Sequence, residues 1–158
     1  VAVLVGGVIL VWVAQATNKA DDSVVRKVLD LQTSVLKAEL PVVRERLVAL
    51  ECSTYSECDE ALRDYRAALV PYWTILGTAV AELGALQEAT ADPALLGVVN
   101  SFREFYSVRL EAVRLDMEAI GSKIDVALLE AGAKKWEESR SRASDVSEAW
   151  DRYAGIEE

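Results

Sequence analysis

Cys52 and Cys58 are the only cysteines in the 158-residue chain, and five polar or turn-forming residues, Ser53 to Glu57, lie between them. Five residues are enough to reverse a chain and bring two helix ends to the ~5.5 Å Cα separation that a disulfide needs. The spacing therefore predicts a disulfide at a hairpin tip, and with it an oxidising compartment. The alternative reading is two unpaired thiols. A structural zinc fits neither case, because two thiolates without a histidine leave the tetrahedral set incomplete.

The chain has no histidine. That removes histidine-based triads, the Glu-x-x-His pattern of di-iron bundles and histidine-ligated haem. No glycine-rich phosphate loop is present, and no isolated carboxylate pair stands out for acid–base work. The expectation is a protein that is not an enzyme and holds no metal or cofactor. A net charge of −9 repels phosphate backbones, so no nucleic-acid partner is expected.

Arg109 would share one side of a helix with Phe102, Phe105 and Ala112. It reads either as a buried guanidinium awaiting a carboxylate ligand or partner, or, more plainly, as a snorkelling side chain paired with Glu104 or Glu111. Tyr65, Tyr72, Trp73 and Tyr106 could line a cavity between helices; aromatics at helical spacing are more commonly core. The candidate ligand or partner contacts are thus Arg109, Tyr65, Tyr72 and Trp73. The mixed-sign run from Lys134 to Arg142 reads as a solvated face with i,i+4 pairing.

The elements that position these residues are helices. Few glycines and prolines and an apolar share of 52% alongside 27% charge suit amphipathic helices. Asp22-Ser23 can cap a first helix reaching about Cys52. Its Leu36, Leu40, Val43, Leu47 and Leu50 recur at spacings of four and three, beside a second stripe of Val28, Leu31, Val35, Ala38 and Val42. Together they predict one broad buried face. Ser56 with Asp59 suggests a capping box for a second helix running to about Glu88, carrying the stripe Leu62, Tyr65, Leu69, Tyr72, Leu76, Ala79, Leu83 and Leu86. Pro41 and Pro71 fall inside helices without breaking phase and predict kinks. Asp92-Pro93 starts a third helix, marked by Val99, Phe102, Tyr106, Leu110, Val113, Met117 and Ile120. Gly121, taken as left-handed, would close it. Ser122 and Asp125 would then cap a fourth helix over residues 123–153, with Ile124, Leu128, Ala131, Trp136, Ala143, Val146, Trp150 and Tyr153 as its apolar marks. The phase slips near Gly132, which predicts a local distortion. One continuous helix across Gly121 is the alternative.

Residues 1–14 carry no charge. The run is shorter than the ~20 residues of a full span. It reads as the outer end of a transmembrane helix, with Trp12 at the interface. A signal remnant, with Ala14-Gln15-Ala16 as a loose cleavage site, and a buried core helix are the other readings. The division is thus 1–20, membrane-anchor helix and juxtamembrane link, and 21–158, an all-α up-down-up-down four-helix bundle.

Anchor, long helix, hairpin tip and returning helices together resemble, in layout, the ligand-binding four-helix domain of bacterial chemoreceptors and related sensors. The resemblance implies a membrane-anchored extracytoplasmic domain, periplasmic or cell-surface, of sensor or ligand-binding type. The alternative is a structural or accessory subunit of a membrane complex with no ligand of its own. Either way a protein partner or self-association is expected, with the membrane engaged through the N-terminal helix.

Overall fold

The computed structural model describes residues 22–121 and 123–155, without the side chains of Asp22, Tyr55 and Ser56. The expected anchor and link, and the expected cap at Ser122, lie outside the described residues. The chain is all-helical: 91% of the described residues lie in four helices and none in a strand. These are α1 (Asp22–Glu51), α2 (Tyr55–Ala89), α3 (Pro93–Ala119) and α4 (Val126–Ala154). Each packs against the next in sequence, forming a helical bundle.

Local chemistry sets each boundary. Thr54 and Glu57 form the capping box of α2: the Glu57 amide donates to Thr54 Oγ1 at 3.3 Å, and the Thr54 amide donates to Glu57 Oε2 at 3.2 Å. Ser53 Oγ donates to the same carboxylate oxygen at 3.0 Å. These bonds to Ser53 and Thr54 hold the Glu57 carboxyl below the usual carboxylate range. The expected Ser56–Asp59 box is therefore corrected by two residues. Asp59 instead pairs with Arg63 one turn further on. Immediately beside this cap, Cys52 and Cys58 are disulfide-bonded, with their Cα atoms 5.2 Å apart.

Asp92 caps α3 by accepting from the amides of Ala94 at 2.8 Å and Leu95 at 3.1 Å, with Pro93 at the first helical position, where its missing N–H costs nothing. The chain leaves α3 at Ile120 (φ −95°, ψ 66°), so α3 and α4 are separate helices. Gly121 does not end α3 in a left-handed turn; among the described residues only Gly155 has positive φ, at 71°, closing α4. The turn is instead held by the Asp125 amide donating to the Ala119 carbonyl at 3.0 Å. Asp125 then caps α4 through the Leu128 amide. Pro41 and Pro71 both lie within helices, with their rings on the exposed side. Helix α4 runs unbroken through Gly132.

The core is drawn from all four helices: Val28, Val35 and Val42 of α1, Leu69, Tyr72, Leu76 and Leu83 of α2, Val99, Phe102, Tyr106 and Val113 of α3, and Trp136, Val146 and Trp150 of α4. One expectation fails here. The leucine stripe of α1 is not buried: Leu40, Leu47 and Leu50 are 65%, 54% and 73% exposed, and Leu36 and Val43 are half-buried. Only the parallel valine stripe enters the core. A helix packed along one side buries a single stripe. Ile124, outside α4, is also exposed. Among the described residues the stretch Glu57–Ala89 is long and apolar enough to cross a membrane by length and composition. Core helices meet the same test, and its Leu69, Tyr72, Leu76, Ala79 and Leu83 are fully buried here.

The disulfide closes a short loop. Chain entropy gives such a loop about 2 kcal/mol. Reduction is expected to lower the melting temperature measured by circular dichroism while leaving helical content near its oxidised value. Loss of the helices on reduction would show that the bond, rather than the core, holds the fold.

Candidate functional site

Arg109 sits where all four helices meet. It is drawn inward because it occupies a core position of α3: Val99, Phe102, Tyr106, Arg109, Val113, Asp116 and Ile120 alternate at spacings of three and four and so share one face. Its Nη1 donates to Glu39 Oε2 of α1 at 2.6 Å and to Tyr72 Oη of α2 at 3.4 Å. Its Nε donates to Ser139 Oγ of α4 at 3.0 Å. The guanidinium lies 4.5 Å from the Phe105 ring centroid and 5.8 Å from that of Trp136. The ion pair is secluded, with the side chains of Arg109 and Glu39 only 13% and 12% exposed. Arg109 therefore does not snorkel, and its partner is neither Glu104 nor Glu111. Glu104 pairs with Arg142, and Glu111 with Arg114. The reason is geometric: both of those glutamates point away from the α3 core face, whereas Glu39 lies on that of α1.

Seven residues further along α3, Asp116 forms a second polar layer. Its Oδ2 accepts from Tyr65 Oη of α2 at 2.5 Å and from Trp136 Nε1 of α4 at 2.9 Å, and the residue is buried. Gly132 of α4 packs against the other oxygen; a Cβ there would overlap Asp116 Oδ1. That close approach accounts for the apparent phase slip at Gly132, where a helix-phase residue lacks a side chain to make room for a carboxylate. Trp136 joins the layers. Its ring stacks on Tyr72 with centroids 6.5 Å apart and planes within 5°, and Arg46 of α1 lies 5.1 Å from its centroid.

The electrostatics favour holding charge rather than transferring protons. Burial favours the neutral form of Arg109, but Tyr72 and Glu39 outweigh it and hold its pKa above the usual value. Burial pushes the phenols of Tyr65, Tyr72 and Tyr106 well above the ordinary tyrosine range. At neutral pH these hydroxyls stay protonated; Tyr65 donates to Asp116 and Tyr72 accepts from Arg109. Among the described residues no group of three His, Cys, Asp or Glu side chains converges to hold a metal.

Of the four contact residues expected from sequence, Arg109 and Tyr72 meet directly and Tyr65 joins them through Trp136. Trp73 does not: it is 44% exposed on the outer side of α2, because consecutive helical residues point about 100° apart. Tyr65, Tyr72 and Tyr106 are packed core, not cavity lining. Glu39, Asp116 and Ser139 are missed by the sequence reading, which takes Trp136 only as a core mark and Gly132 only as a phase slip. Their signal is phase: Glu39 alternates with Val35 and Val42, and Gly132, Trp136, Ser139, Ala143 and Val146 keep the same three-four rhythm. A shallow groove of about 390 Å³ lies elsewhere, near the disulfide end, lined by Leu62, Arg63, Arg66, Ile120 and Ile124 among others.

Removing one partner of a buried ion pair leaves an uncompensated charge, which costs about 3–5 kcal/mol. Glu39→Ala is expected to destabilise by that amount in urea denaturation. Glu39→Met with Arg109→Met together should recover most of it; a double variant as unstable as the single would contradict the layer's electrostatic origin. Gly132→Ala should cost about 1–3 kcal/mol, as overpacking does, and should shift the indole N–H resonance of Trp136.

Compared with protein-family models, with curated proteins and with solved structures, the chain matches none.

Proposed function

We propose that the chain is a membrane-anchored, extracytoplasmic interaction domain: an up-down-up-down four-helix bundle tethered through residues 1–20 and presenting its α1 flank to a protein partner. The observation that carries this reading is the uncovered leucine stripe, Leu40, Leu47 and Leu50, with Val48 beside it. Isolated exposed leucines are ordinary, but a contiguous stripe at helical spacing is the kind of surface that proteins cover.

The order of the polar layers supports the topology. From the Arg109 layer to the Asp116 layer, numbering rises by seven on α1 and α3, from Glu39 to Arg46 and from Arg109 to Asp116. It falls by seven on α2, from Tyr72 to Tyr65, and on α4, from Ser139 to Gly132. Such alternation is that of consecutive antiparallel helices. The disulfide supports an oxidising compartment, and the uncharged run of residues 1–14 supplies the tether. The polar groups of the Arg109 layer answer one another inside the bundle, which favours an accessory or scaffolding role over an internal ligand. The second reading is a sensor or ligand-binding domain; the groove near the disulfide offers it Arg66, while its other arginine, Arg63, is already paired with Asp59.

The test is topological. With the full chain expressed in cells, acid trapping followed by thiol alkylation should find Cys52 and Cys58 oxidised, and fractionation should place the protein with membranes. Deleting residues 1–14 should release a helical, soluble domain. Free thiols in a cytosolic fraction would overturn the proposal.

A further inference from the structure

We infer that the groove beside the disulfide is a binding site for a small organic anion, a single carboxylate carrying a short apolar body. This gives the ligand-binding reading a ligand chemistry, and it depends on neither the tether nor the compartment. The groove holds about 390 Å³, within the range of small-molecule sites. Its apolar lining is Leu62 of α2 with Ile120 and Ile124 of the turn between α3 and α4. Ile120 is buried, Leu62 half-buried and Ile124 exposed, so an alkyl body laid there covers a side chain that the bundle leaves in water. Both walls are fixed. In the turn, Ile120 and Ile124 are joined by a backbone bridge, and the Asp125 amide donates to the Ala119 carbonyl at 3.0 Å. The α2 wall begins at Asp59, next to the disulfide-bonded Cys58 and just after the start capped by Thr54 and Glu57. A site held in this way has less to order when a ligand arrives.

Charge decides the sign of the ligand. Arg66 lines the groove, and its Nε donates to the Met117 carbonyl at 3.4 Å. That bond sets the guanidinium across the end of α3 and leaves its two terminal nitrogens without a partner among the described residues. Two such nitrogens form the fork that takes a carboxylate bidentately. The acids nearby are already engaged: Asp59 pairs with Arg63, Glu118 with Arg114, and Asp125 caps α4. Lys123, in the turn between Gly121 and Ile124, also has no ion-pair partner among the described residues. A cationic ligand would meet these unanswered cations. A polyanion would be repelled by Asp59, by Asp125 and by a chain of net charge −9. One carboxylate answers Arg66, and its tail covers Ile124.

The probe is hexanoate, titrated into the full chain with its native disulfide intact, with the methyl resonances of Ile120 and Ile124 as the readout. Hexanoate should shift both saturably. Hexylammonium, of equal length and opposite charge, and acetate, which lacks the tail, should bind at least tenfold more weakly at the same ionic strength. Arg66→Gln should weaken hexanoate at least tenfold, whereas Arg26→Gln, an exposed arginine near the start of α1, should leave it within twofold. Both variants should keep the circular dichroism spectrum. No saturable shift, hexylammonium binding as tightly as hexanoate, or Arg66→Gln binding as well as the native chain would overturn the site. The titration reads the groove alone: its failure leaves the anchored interaction domain standing, and loss of the anchor would not change the expected shifts.

Discussion

The bond between Arg109 and Glu39 crosses the bundle, and much of the interior is arranged around it. A guanidinium cannot shed its charge, so once α3 turns Arg109 inward every helix has to answer it. α1 supplies a carboxylate, α2 a phenol, α4 a hydroxyl, and Phe105 and Trp136 supply ring faces. Sliding any one helix by a turn would leave a buried charge short of a partner. The apolar layers on either side tolerate such a slide far better, since a valine or leucine meets nearly equivalent neighbours one heptad away.

The Asp116 layer repeats the device with the signs reversed. Here the buried charge is an acid on α3, and the cation of α1, Arg46, lies over the Trp136 ring rather than on the carboxylate. Two neutral donors, Tyr65 and Trp136, serve the carboxylate directly. Buried polar groups of this kind are weak sources of net stability, because desolvation offsets most of the Coulombic gain. Their effect is selective. Opposite polarity in successive layers penalises the alternative in which α1 moves by seven residues relative to α3, since that would bring Glu39 beside Asp116. Gly132 belongs to the same logic: any larger residue there displaces the carboxylate from its donors.

Much of the fold was legible because helices announce themselves by period and punctuation. Asp92-Pro93, the prolines held within phase, and the unbroken α2 stripe led to four helices with nearly correct limits. The disulfide followed from a turn of the right length. The polar layers were harder to read, since Arg109 and Asp116 stand in core phase but carry the chemistry of surface residues. Choosing Leu110 and Met117 instead gave an equally regular stripe one residue away. The partners of Arg109 lie 70, 37 and 30 residues distant, a relation that no local pattern encodes. Local glutamates were the natural candidates for its ion pair, and they turned out to serve Arg114 and Arg142.

Helix α1 was misread for a reason that bears on what the molecule does. Its two stripes are both periodic, and hydrophobicity alone ranks the leucines above the valines. Yet the core-facing stripe is interrupted each heptad by a polar residue, Gln32, Glu39 and then Arg46, while the leucines face outward. Set against the usual sorting of side chains, the helix is partly inverted. Burying a leucine is worth about 1.5–3 kcal/mol, and α1 forgoes that at three positions while accommodating three polar groups inside. The arrangement leaves α1 with two distinct faces, one specified by charge and internal to the bundle, the other lined by leucines and exposed. The internal interface fixes the rotation of α1 about its axis, because Glu39 must face Arg109. That rotation is what holds the leucine stripe outward, so the buried ion pair sets the direction in which the exposed leucines point.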